Sequence, residues 1–135
     1  MKLFYDIKTW AMDRLQGADL DAVKGLKIRP CDDVRKDHET GKDAGRAWAH
    51  TNHVEDVVCV HPGFDTGLDP VHQAGIILHE IGHVLKPGDE KDADVAVRTK
   101  LGTTIEYDKG QGGIQFIGAS ALKQIQKHVK KETSA

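Results

Sequence analysis

The sequence predicts a single domain of the α+β class, spanning residues 1–135, with a small, mostly antiparallel sheet packed on one central helix. Segments with helical spacing of apolar residues lie at both ends and in the middle of the chain, and short β-branched segments lie between them. A chain of 135 residues is long enough to bury a core of its own. We therefore expect several supporting helices around one sheet.

Helices and then strands are expected in the first part of the chain. Apolar residues at helical spacing predict an amphipathic helix over residues 3–16, and Asp19 is the expected cap of a second helix ending at Lys24. A short strand is expected over residues 26–30. Residues 32–45 are charged and glycine-punctuated, which indicates a loop or hairpin connection within the domain.

A hairpin is expected ahead of the central helix. Residues 46–51 alternate in side-chain character, and residues 54–60 are rich in β-branched side chains. The two segments predict an antiparallel pair joined at Asn52 and His53, with Cys59 buried in the second strand.

The central helix has clear start and stop signals. Asp69 is the expected N-cap, Pro70 suits the first helical position, and the helix should run over Val71–Leu85 before Pro87 ends it. The pattern predicts a second helix over residues 89–101, two weak strands over 103–107 and 113–117, and a final amphipathic helix, whose apolar residues are Ala121, Leu122, Ile125 and Val129.

The composition excludes several function classes. The net charge is −2, from 19 basic and 21 acidic residues, so we expect no nucleic-acid and no membrane partner. Two cysteines, Cys31 and Cys59, are too few for a disulfide framework, and the N-terminus lacks a signal-like apolar run. A cytoplasmic protein is the simplest interpretation, and the oligomeric state stays open.

Residues 79–83 (HEIGH) carry the one motif that indicates a chemistry. His79 and His83 stand one helical turn apart and could share a Zn²⁺ ion, while Glu80 could take a proton from water at that ion. On a helical wheel both histidines fall opposite an aliphatic stripe. Two other interpretations are surface histidines paired with acids, and a metal that serves structure alone.

The third ligand has to come from outside this helix, and an acidic segment follows it. Residues 90–94 read EKDAD, so that this stretch resembles the gluzincin branch of the zincin metallopeptidases, where a second helix carries E-x-x-A-D. The resemblance covers residues 69–101 and extends to peptidases of the ImmA/IrrE-like and CAAX types. It implies a minimal zincin-like fold with Glu90 as the third ligand, and Asp94 as an outer carboxylate that orients a ligand histidine.

The short connection between His83 and Glu90 departs from the gluzincin pattern. The metzincin branch has a short connection and would make Asp89 the ligand, although Lys86 stands where that pattern has glycine. Asp92 and Asp94 are further alternatives for the third ligand.

The resemblance implies a small soluble zinc endopeptidase that acts on a protein or peptide, with Glu80 as general base. It also implies that substrate adds as a strand to a sheet edge, for which we expect residues 54–60. The alternatives are a zincin-fold metal-binding module without peptidase activity and a zinc hydrolase of a non-peptide amide.

Overall fold

The computed structural model describes residues 1–30 and 48–133. Cys31, the expected loop over 32–45 and the start of the strand expected over 46–51 lie outside these residues. Within them the structure is α+β, which confirms the predicted class. None of the described helices is long and apolar enough to cross a membrane. The elements, in chain order, are α1 (Lys2–Met12), α2 (Gly17–Lys24), β1 (Lys27–Pro30), β2 (Ala49–Asn52), β3 (Val57–Val60), α3 (Phe64–Gly67), α4 (Pro70–Leu85), α5 (Glu90–Ala96), a π-helical turn (Val97–Leu101), β4 (Glu106–Asp108), a 3₁₀ turn (Lys109–Gln111), β5 (Ile114–Phe116) and α6 (Ala119–Thr133).

The first two helices differ in their limits from the prediction. Helix α1 ends at Met12 because the next amides, of Arg14 and Leu15, bind carbonyls three residues back, which tightens the chain into a turn. Helix α2 begins at Gly17, preceded by Gln16 in an extended conformation, so Asp19 lies inside the helix and does not cap it.

The described strands form two small sheets. In the three-stranded sheet the order is β1-β3-β2, with β1 parallel and β2 antiparallel to β3. The second sheet is the antiparallel hairpin of β4 and β5. The expectation of a mostly antiparallel sheet therefore holds for two of the three strand pairs, and the parallel pairing of β1 departs from it.

The strand expected as the free sheet edge is in fact the central one. Strand β3 has hydrogen-bonded neighbours on both sides, and all four of its residues, Cys59 included, are buried. A continuous β-branched run suits a strand covered on both faces. Among the described strands the edge beside the motif helix is β2, so the prediction of residues 54–60 as the edge was wrong.

Helix α4 lies at the centre of the domain. It contacts α1, α2, α5, α6, β2 and β5. Its start agrees with the prediction, because the Asp69 carboxylate accepts a hydrogen bond of 3.2 Å from the His72 amide and Pro70 occupies the first turn. Its apolar stripe joins side chains of α1 and α6 in one core, whose fully buried members include Phe4, Ile7, Ala74, Ile77, Leu78, Ile81 and Ile125.

Helix α5 approaches α4 closely at one point. A Cβ atom built on Gly82 would overlap the backbone carbonyl of Ala93, with the carbonyl carbon only 2.8 Å away, and would lie 3.0 Å from Val97 Cγ2. Ala93 itself is fully buried. Glycine is thus required at position 82 for the two helix backbones to touch.

The β4–β5 hairpin is held against the other end of α4. A Cβ on Gly75 would lie 2.5 Å from the Phe116 amide nitrogen, so the backbone of β5 also touches the helix. The Ile117 amide donates a hydrogen bond of 3.2 Å to the Val71 carbonyl. The hairpin therefore buries the first half of the helix face that carries the motif histidines.

Gly82→Ala should destabilise the protein by about 2 kcal/mol, because the added methyl forces two backbones apart. The change would gain about 1 kcal/mol from helix propensity, which the overlap outweighs. The measurement is the midpoint of urea unfolding. Gly25→Ala is the matched control, since its Cβ meets only the Asp21 carbonyl, at 3.9 Å. A Gly82→Ala variant as stable as the wild type would contradict the close approach.

Candidate metal centre

The two motif histidines converge on one point in front of helix α4. Their Nε2 atoms lie 3.1 Å apart, and the rings stand nearly perpendicular with centroids 4.7 Å apart. His79 is 3 % exposed and the His83 side chain 12 %. The turn of helix between them sets this geometry, as the i, i+4 spacing predicts.

The Glu90 carboxylate reaches the same point from the first residue of α5. Its Oε2 contacts His79 Nε2 and lies 3.1 Å from His83 Nε2. The Gly82–Ala93 contact allows this approach, since Ala93 lies one turn after Glu90. Three donor atoms from two helices therefore meet within a few ångströms.

The other acids of the segment lie differently. Asp89 accepts a hydrogen bond of 2.8 Å from the Asp92 amide and is the N-cap of α5. Asp92 is exposed, and its Oδ2 lies 3.4 Å from the position that a Cβ on Gly88 would take. Of the four acids considered as third ligand, Glu90 contacts both histidines, whereas Asp89 caps helix α5.

Asp94 contacts His79 from the opposite side of the ring. Its Oδ1 lies 2.7 Å from His79 Nδ1, and its Oδ2 accepts a hydrogen bond from the Tyr107 hydroxyl. A carboxylate only accepts hydrogen bonds, so Nδ1 carries the hydrogen. That leaves Nε2 as the atom facing Glu90 and His83.

Burial and the two acids act on His79 in opposite directions. Burial disfavours the charged ring, but the hydrogen bonds with Glu90 and Asp94 outweigh it and raise the pKa of His79 to about 9. The contact with His79, and to a smaller extent the contact with His83, holds the pKa of Glu90 well below its usual range. The two shifts favour a charged His79 beside the Glu90 carboxylate in the metal-free protein, and a bound cation would replace the hydrogen on Nε2.

Glu80 is a buried carboxyl beside these donors. A carboxylate oxygen of Glu80 and the nitrogens of His79 and His83 all lie within 4.8 Å of one another, which marks the three side chains as a group able to hold a metal ion. Thr51 on strand β2 donates a hydrogen bond of 3.0 Å to Glu80 Oε2. Burial raises the pKa of Glu80, against the lowering effect of the two histidines.

The donor set suits zinc in type, and two of its three donor separations suit it in spacing. Ligands at 2.0–2.1 Å in a tetrahedral arrangement lie about 3.3 Å from one another. The separations of 3.1 Å from His83 Nε2 to His79 Nε2 and to Glu90 Oε2 are close to that value. Two imidazoles and one carboxylate make a set of three that leaves a fourth position for water.

The centre opens into a cleft with a volume of about 590 Å³. Strand β2 forms one wall, and the start of β5 with the turn before it forms the other. The lining residues besides the motif include Trp48, Ala49, His50, Ile76, Ile114 and Gln115. In the part of the chain that the structure describes, the edge strand β2 thus borders the centre.

His72 lies outside this cleft, although it shares a face of α4 with the motif. It is 6 % exposed, its Nδ1 contacts Asp69 and its Nε2 lies 2.8 Å from Asp108 Oδ2. Burial lowers the pKa of this ring, but the two carboxylates outweigh burial and raise it. His72 therefore ties the hairpin to the start of α4 and does not line the cleft.

Two contacts of the centre were not predicted from the sequence. The Thr51 hydroxyl donates a hydrogen bond to Glu80, and the Tyr107 hydroxyl donates one to Asp94. Asp94 was expected to orient a ligand histidine, but its contact with Tyr107 was not expected. Thr51 is 29 residues from its partner and Tyr107 is 13 from its own. No local pattern marks such pairs, because they depend on how the strands dock on α4.

Comparison with known proteins leaves the chain without an identified relative. No protein-family model, no curated protein and no solved structure matches it.

Glu90→Ala should weaken zinc binding by more than about 100-fold, beyond the range typical of groups that only support a ligand. Its side chain is 73 % exposed, so the fold should survive. The matched variant is Asp89→Asn, which keeps a good helix cap but removes the charge. Competition with a chromophoric chelator measures the dissociation constants. Loss of zinc in Asp89→Asn with retention in Glu90→Ala would assign the ligand to Asp89.

The stability of the metal-free protein should fall as pH rises through the folded-state pKa of His72. Because that pKa is raised, the contribution is complete below about pH 6.5, the unfolded value, and is lost above the folded one. Asp108→Asn should flatten this dependence in urea unfolding followed from roughly pH 6 to pH 9. Asp19→Asn, in the exposed pair with Lys100, is the control and should keep the wild-type slope. Equal slopes in all three proteins would refute the contribution of His72.

Proposed function

We propose that this chain is a small zinc-dependent endopeptidase with a minimal zincin-like fold. The observation that carries the proposal is the convergence of His79 Nε2, His83 Nε2 and Glu90 Oε2 beside the buried carboxyl of Glu80. A site of this kind needs three protein ligands, an open position and a nearby base. We further propose that the protein acts on a protein or peptide substrate in the cytoplasm, as the sequence led us to expect.

His79, His83 and Glu90 would hold the metal, and Asp94 would support His79. Bound Zn²⁺ lowers the pKa of water and polarises a carbonyl oxygen. The protein's own part is to fix its ligands. His79 is fixed at both ring nitrogens and buried, while Glu90 is held at the start of α5 by the Asp89 cap.

Glu80 would act as general base and then as general acid. It would accept a proton from the attacking water and pass it to the leaving amine of the substrate. The Thr51 hydroxyl occupies Oε2, which orients the carboxyl and leaves its other oxygen for this proton. Thr51 belongs to strand β2, so the base is tied to the wall of the cleft along which a substrate would lie.

A peptide would bind as an additional strand along β2. Among the described residues, strand β2 is paired with β3 alone, and its residues from Ala49 to Thr51 line the cleft. We propose that an extended peptide pairs with backbone groups of that edge. This geometry favours a peptide over a compact amide, because the cleft runs beside strand β2.

The test begins with zinc content and cleavage in the wild type. Protein purified without added metal and then reconstituted should hold about one equivalent of zinc. It should also cleave members of a random-sequence peptide mixture read by mass spectrometry, with loss of activity on chelation. Zinc without peptide cleavage would favour the binding module or an amide hydrolase. Failure to bind zinc would overturn the proposal.

Glu80→Gln should keep the zinc and lose peptide hydrolysis by about 10²–10⁴-fold, the usual contribution of a general base. The amide cannot take the proton but fills the same buried space. Glu106→Gln, an exposed change on β4, is the control and should cleave at the wild-type rate. Hydrolysis by Glu80→Gln at the rate of the control would exclude Glu80 as the base.

A further inference from the structure

We propose that Tyr107 is a positioning residue of the candidate metal centre, acting on His79 through the Asp94 carboxylate. The inference rests on the proposed function, since it concerns a ligand of the proposed metal. The phenol holds one oxygen of Asp94, and the other oxygen holds the ring.

A continuous chain of contacts supports this role. The Tyr107 hydroxyl donates to Asp94 Oδ2, and Asp94 Oδ1 lies 2.7 Å from His79 Nδ1. On the far side of the ring, His79 Nε2 contacts Glu90. The phenol and the His79 ring contact the two oxygens of the same carboxylate, so a change at the phenol reaches the ligand histidine through one intermediate group.

The carboxylate needs this second partner to keep its orientation. The terminal torsion of an aspartate is broad, so one hydrogen bond alone leaves the plane of the group free to turn. The Asp94 side chain is 21 % exposed, and water could compete for it. With Oδ2 held by the phenol, Oδ1 stays directed at Nδ1 and Nε2 stays directed at the other ligands.

The position of Tyr107 is itself fixed by the hairpin. Its neighbour Asp108 is paired with His72 at 2.8 Å, and the opposite strand touches Gly75 of the motif helix. Tyr107 is 44 % exposed, more than a residue kept only for core packing would be. The hydroxyl contact with Asp94 gives a reason for a tyrosine at this half-exposed place.

The experiment compares zinc dissociation constants of Tyr107→Phe, Asp94→Ala and the double variant, measured by chelator competition. Outer groups that support a ligand typically contribute 10–100-fold, so Tyr107→Phe should weaken binding by about 10-fold and Asp94→Ala by up to about 100-fold. The double variant should bind no more weakly than Asp94→Ala, because Tyr107 acts only through that carboxylate. Tyr5→Phe is the control, a tyrosine of α1 that is 47 % exposed.

The outcomes separate the two proposals. If the wild type binds zinc and Tyr107→Phe binds it with the same affinity, the role of Tyr107 is overturned while the proposed function stands. Effects that multiply in the double variant would overturn it too, since they would mean that the phenol supports the fold of the hairpin and not the carboxylate. If the wild type itself bound no zinc, the proposed function would fail and this inference with it.

Discussion

The candidate centre depends on the backbone contact between Gly82 and Ala93. Gly82 is the residue before the second motif histidine, and Ala93 lies between the two acids that contact the first. Because Gly82 has no side chain, α5 packs close enough for Glu90 and Asp94 to reach opposite sides of the His79 ring. The small residue Gly82 thus allows the short distance between α4 and α5, and this distance lets the acids of α5 contact His79.

A second close approach completes the surroundings of the centre. Gly75 lies two turns before Gly82 on α4, and there β5 touches the helix backbone to backbone. The hairpin brings Tyr107 to Asp94 and supplies one wall of the cleft, while β2 supplies the other wall and Thr51. All of these groups stand on helices or strands anchored to α4, which favours a rigid site over one built from loops.

The sequence predicted what local patterns determine and missed what docking determines. Asp69, Pro70 and the apolar spacing predicted α4, and Gly102, whose φ is +74°, ends the segment that follows as expected. The acids after the motif were recognised as neighbours of the histidines, but spacing alone left Asp89 and Glu90 as rivals. The parallel pairing of β1 with β3, the edge position of β2 and the Tyr107 contact join residues far apart in the chain, and periodicity carries no signal for such pairs.

The proposed metal is supported by the way three donor atoms meet at one point. A buried histidine needs a partner when charged, and Asp94 alone would supply one to His79. Yet His83 Nε2 also faces this ring, at 3.1 Å, and Glu90 brings an oxygen to the same point. Two imidazole nitrogens facing each other can share only one hydrogen. A divalent cation would bind all three lone pairs at once, and this is the geometric support for the proposed metal.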